Sequence, residues 1–76
     1  MKTLKINTEY ILLHQALKLS GVISTGGEAK LLIQENAVKV NGAAESRRGR
    51  KLYHGDVFGA NHQEFVISGE DKKPKL

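Results

Sequence analysis

Thr25-Gly26-Gly27-Glu28 marks a helix start more firmly than any other stretch of this chain marks a structural element. The Thr25 hydroxyl can accept from the amide of Glu28 while the Glu28 carboxylate accepts from the amide of Thr25. Together they satisfy two of the donors that a helix leaves without partners at its N-terminus. Ala29, Leu32 and Ile33 follow at the spacing of one helical stripe, and Lys30 and Gln34 point elsewhere. Asn36 is the next residue that adopts the left-handed conformation cheaply, so the helix is expected to end at Glu35 or Asn36.

A first helix is expected upstream, from Glu9 to about Ser20. Thr8 suits its N-cap, Glu9 its first turn, and Gly21 the left-handed position beyond its end. Tyr10, Leu12, Leu13, Ala16, Leu17 and Leu19 then lie on one broad apolar arc. His14, Gln15 and Lys18 share the opposite side, with Ile11 an apolar exception among them. The remaining segments read as strands. Leu4-Lys5-Ile6 alternates, and Val38-Lys39-Val40 alternates into the turn signal Asn41-Gly42. Ala43 to Lys51 is polar and without period. Leu52-Tyr53 precedes a His54-Gly55-Asp56 turn, and Val57-Phe58 and Glu64-Phe65-Val66-Ile67 flank Asn61-His62 as a final hairpin. The expectation is one domain over residues 1–68 and a flexible charged tail over 69–76.

Composition limits what such a domain can be. The chain has 76 residues, 39% hydrophobic and 26% charged, which suits one small folded module with a modest core and no separate catalytic domain. It has no cysteine, so disulfides and thiolate metal sites are excluded. No stretch approaches the roughly 20 apolar residues of a membrane span, and the cytoplasm is the expected location.

Charge is concentrated in one place. Arg47-Arg48-Gly49-Arg50-Lys51 carries +4, the segment from Glu70 onward +1 (three lysines against two acids), and the rest −1 (five lysines against six acids). A polyanion feels such a local field, because cations that displace condensed counterions supply most non-specific nucleic-acid affinity. The run has no apolar period, so replacing its cations is expected to change binding and leave the fold intact.

The order of elements, the sequence Arg47-Arg48-Gly49-Arg50-Lys51-Leu52-Tyr53-x-Gly55-Asp56 and the motif Thr25-Gly26-Gly27-x-Ala29-Lys30 resemble the RNA-binding domain named after bacterial small-subunit ribosomal protein S-four, in its stand-alone YaaA-like branch. The resemblance runs from about Thr8 to Phe58. It implies an α+β fold, two helices packed on a small, mainly antiparallel sheet in an L-shaped motif. It also implies a bacterial-type module acting on ribosomal RNA or an assembling ribosomal particle. Many members have Ser-Arg at the start of the second helix, where the arginine would help hold a phosphate; here Thr25-Gly26 stands instead. Gly26 and Gly27 either let an RNA backbone approach the helix amides or simply open the helix, and Lys30 adds a charge one turn on.

Arg47, Arg48, Arg50 and Lys51 are accordingly the expected phosphate contacts, with Gly26, Gly27 and Lys30 beside them. Tyr53 either stacks on a base or packs as a core or rim residue. An A-form helix hides its major-groove base edges, so a small basic patch reads structured RNA by shape and backbone. The alternative is a basic adaptor that binds an acidic protein, with Tyr53 or Ile11 as anchor. Catalysis is not expected, because Ser24, His14 and Asp56 lack any nucleophile-elbow context. No metal or cofactor is expected either, since His14, His54 and His62 lack ligand spacing. A monomer is expected, with RNA and ribosomal proteins as candidate partners and no membrane.

Overall fold

A computed structural model describes residues 1–69. Its element order is β1 (Lys2–Lys5), β2 (Tyr10–Leu12), α1 (Leu13–Leu19), α2 (Gly26–Gln34), β3 (Lys39–Val40), β4 (Ala43–Ala44), β5 (Lys51–Tyr53), β6 (Val57–Ala60) and β7 (Gln63–Ser68). The fold is α+β, and its strands form two sheets. Five strands lie in the order β1-β7-β6-β3-β4, parallel only between β1 and β7, while β2 and β5 form a separate antiparallel ribbon. The tail expected over 69–76 lies, apart from Gly69, outside the described residues. No helix among the described residues is long and apolar enough to cross a membrane.

The second helix forms as its punctuation requires. Thr25 Oγ1 accepts from the Glu28 amide at 3.4 Å, and Glu28 Oε1 accepts from the amides of Thr25 and Ser24 at 3.1 and 2.8 Å. Asn36 ends the helical path at φ +58°, and the Ala37 amide reaches back to the Leu32 carbonyl. Gly21 likewise turns the chain out of α1 at φ +84°.

The start of the first helix differs from the expectation. Residues Tyr10–Leu12 are strand, and Tyr10, Ile11 and Leu12 pair with Tyr53, Leu52 and Lys51. Thr8 is no cap; its hydroxyl donates to the Tyr10 carbonyl at 2.8 Å. Leu12 occupies the N-cap position, with Gln15 Oε1 accepting from its amide. The apolar arc misled because Tyr, Ile and Leu also suit a strand once a partner supplies the ladder. Here the partner lies about 40 residues downstream, and local periodicity carries no trace of it.

Leu13, Ala16 and Leu17 of α1, Ala29 and Ile33 of α2, and Val38, Val40, Leu52, Phe58, Phe65 and Ile67 close one core. Phe58 and Phe65 face each other across β6 and β7 with ring centroids 5.2 Å apart. Both hairpin turns have positive φ at both central residues, Asn41 and Gly42 in one and Asn61 and His62 in the other, which matches the twist of the flanking strands. The Asn41-Gly42 and Gly55-Asp56 turns are tied together. Asn41 Nδ2 donates to Asp56 Oδ1 at 3.3 Å, Asn41 Oδ1 accepts from the Val57 amide, and Asp56 Oδ2 accepts from the Tyr53 amide. These motifs therefore fix the end of β5 against β3 and β6.

Candidate nucleic-acid interface

The basic run crosses the N-terminus of α1, and its backbone holds it there. Helix amides at Leu13 and His14 donate to the carbonyls of Arg50 and Arg48 at 2.8 and 3.0 Å. Two donors that α1 would otherwise leave unpaired are thus capped by the loop itself. The loop has a defined path although its sequence has no period.

Its side chains divide into two groups. Glu45 is the one buried charged residue among those described, and its carboxylate accepts from the amides of Ser46 and Arg47 at 3.1 Å each. Arg47 adds Nε at 3.0 Å and Nη2 at 3.3 Å, and Arg50 adds Nη1 at 2.7 Å. These bonds, Arg47's side chain first and Arg50's second, pull the Glu45 carboxyl down from 4.5 to about 2 although burial opposes the shift. The same contact raises Arg47 above its already high value. Arg48 and Lys51 are exposed and make no ion pair among the described residues. The expectation that the whole run is free of structural duty is corrected here, because two of its arginines neutralise a buried carboxylate. The signal available in the sequence was the single acid, Glu45, set beside four cations.

Arg48 and Gly49 meet Gly26 and His14 around one open depression of about 510 Å³. The start of α2 and the basic loop, 22 residues apart in sequence between Gly26 and Arg48, therefore share a surface. Nothing in the backbone demands glycine at 26. Its φ is not left-handed and a Cβ there would meet no atom within 4 Å; at Gly27 a Cβ would meet only Thr25 Oγ1 at 3.8 Å. The missing side chains leave open space beside Gly26 and Gly27 at the end of the helix where the dipole is positive, while Thr25 Oγ1 takes the Glu28 amide. Gly27 and Lys30 are exposed on α2 but do not line this depression. Nor does Tyr53, which lies on β5, 43% exposed, with its ring centroid 5.7 Å from that of Tyr10. Tyr53 is therefore no core residue. Tyr10, assigned to the apolar arc of a helix, is its cross-strand neighbour, and Lys51 Nζ lies 4.8 Å over the Tyr10 ring.

A family model described as the S4 domain matches residues 4–68. The chain belongs to the S4-domain family. This S4 domain is 54% identical over 54 residues to the Bacillus subtilis (strain 168) protein named "Probable ribosome maturation protein RlbA", an overlap of 71% of this chain and 76% of that protein. It is 40% identical over 53 residues to the Escherichia coli (strain K12) protein named "Putative RNA-binding protein YbcJ", covering 68% and 76% of the two chains. The chain thus spans about three quarters of the length of each of these relatives.

Proposed function

We propose that this chain is a non-enzymatic module that binds structured RNA, and that the RNA is ribosomal, within a particle being assembled or matured. The observation that carries the reading is the convergence of Arg48 and Gly49 with the first residue of α2, Gly26. Guanidinium charge and backbone amides that meet at one open surface suit a phosphate backbone. Arg48 and Lys51 supply the free cations. Arg47 and Arg50 keep donors beyond those given to Glu45 and add to the field. Gly27 and Lys30 extend the contact along α2, and Tyr53 offers an exposed ring on β5, two residues beyond Lys51. The names of the relatives, one for ribosome maturation and one for RNA binding, support the same reading. A cytoplasmic monomer, working near ribosomal proteins, fits this role.

The test is the affinity of the full chain for structured ribosomal RNA fragments, measured by fluorescence anisotropy with parent and Arg48→Gln. The variant is expected to fold as the parent does and to bind clearly more weakly. Equal affinities at physiological salt, with the fold intact, would remove Arg48 and its depression from the interface. Binding of an acidic protein that structured RNA does not displace would favour the adaptor instead.

A further inference from the structure

A second depression, of about 960 Å³, lies between the turn after β1, strand β2 and the end of α1. It shares no residue with the one at Gly26 and Arg48. Ile6, Ile11 and Leu19 give it an apolar lining, Tyr10 contributes an aromatic ring, and Lys5 and Lys18 add two cations. No carboxylate of a described residue lines it. Leu19 is 60% exposed, an unusual position for a leucine at a helix end that a smaller polar residue would also satisfy. The basic loop meets the depression at Tyr10, because Lys51 places its ammonium over the Tyr10 ring and Tyr53 packs against that ring on the neighbouring strand.

An apolar lining, an aromatic ring and flanking cations match the chemistry of an unpaired nucleotide. Its base has a π-face that any aromatic ring can stack on, and its phosphates need positive charge nearby. An acidic peptide would use the lysines but has no need of a flat ring. One RNA that reaches from the basic loop into this depression would meet Lys51, whose ammonium lies over the Tyr10 ring. Resting on the RNA reading above, we infer that this depression receives an unpaired base of an RNA whose paired portion lies on the basic loop. The base sits against Tyr10, and its flanking phosphates sit near Lys5, Lys18 and Lys51.

The experiment compares two RNA hairpins with the same stem, one blunt and one carrying a short unpaired tail, by anisotropy with the full chain. The tail is expected to raise affinity by at least about fivefold, the lower end of what one stacked base contributes. Tyr10→Leu removes the ring but keeps an apolar residue in the strand. It and Lys18→Gln should each remove most of that gain and leave blunt-stem affinity unchanged, whereas Arg48→Gln should weaken binding to both RNAs alike. If Tyr10→Leu does not fold, Lys18→Gln, on the exposed side of α1, carries the same comparison. Equal affinity of the parent for the two hairpins overturns the inference and leaves the RNA reading standing; binding to neither removes both. Displacement of the tail by a glutamate-rich peptide and not by a short single-stranded oligonucleotide also overturns it. So does a self-association lost in Tyr10→Leu while the gain from the tail persists.

Discussion

Arg50 Nη1 donates to Glu45 Oε1 at 2.7 Å, joining the end of the basic loop to the only buried carboxylate among the described residues. The Glu45 side chain is 7% exposed and that of Arg50 32%, whereas Arg47, the other partner, is 71% exposed. Arg47 offers more donors, but water can replace an exposed guanidinium at little cost, so Arg50 is the stronger structural partner. Without Arg50 the buried carboxylate keeps two backbone amides and a guanidinium that is mostly exposed, whereas without Arg47 it keeps a guanidinium that is itself half-buried.

Arg50→Gln is therefore expected to cost about 1–3 kcal/mol of stability and Arg47→Gln distinctly less. Urea unfolding of the two variants checks the order. Equal midpoints would mean that the exposed pair holds Glu45 as firmly as the half-buried one.

The same carboxylate makes stability depend on pH. Its folded value, about 2, lies below the ordinary 4.5, so its contribution is complete above the ordinary value and is lost as pH falls through about 2. Glu45→Gln should lower stability at neutral pH and flatten the acid limb of the stability curve between those values. Parallel curves for parent and variant over that window would show that Glu45 titrates normally.

Replacing Arg48 and Lys51 together by glutamine should leave the melting temperature near that of the parent and reduce RNA affinity. If both meet phosphates, the slope of log affinity against log salt should become shallower by at most about 1.5 to 2 units. A slope change near zero would place neither cation on a phosphate.

Gly26→Ala tests the start of α2 without altering charge. Alanine is the better helix former by up to about 1 kcal/mol and its Cβ meets no atom, so the variant should be as stable as the parent or more so. RNA affinity should nevertheless fall, because the methyl group stands where the backbone would approach. An alanine variant that gains stability and keeps full affinity would assign Gly26 to helix opening alone.

At Asn36, φ +58° makes a β-branched residue costly and glycine cheap. Asn36→Gly should be neutral or slightly stabilising and Asn36→Val distinctly destabilising in thermal unfolding. Matching melting temperatures for the two would contradict the left-handed backbone there.

Elements whose causes are local can be read from the residues alone. Thr25 and Glu28 cap α2 within four residues of one another, Asn36 and Gly21 end helices through their own φ, and Asn41-Gly42 turns a hairpin through its own backbone. The residues alone also locate the positive charge, since Arg47 to Lys51 are adjacent in the chain. Tertiary structure decided whatever depended on a distant partner. Tyr10 to Leu12 became strand because Lys51 to Tyr53 came alongside, and local periodicity cannot report a ladder formed across such a separation. The division of the basic run followed from Glu45 being buried, a matter of packing and not of spacing. The meeting of Gly26 with Arg48 arose because the loop carbonyls cap α1 and hold the run beside the start of α2.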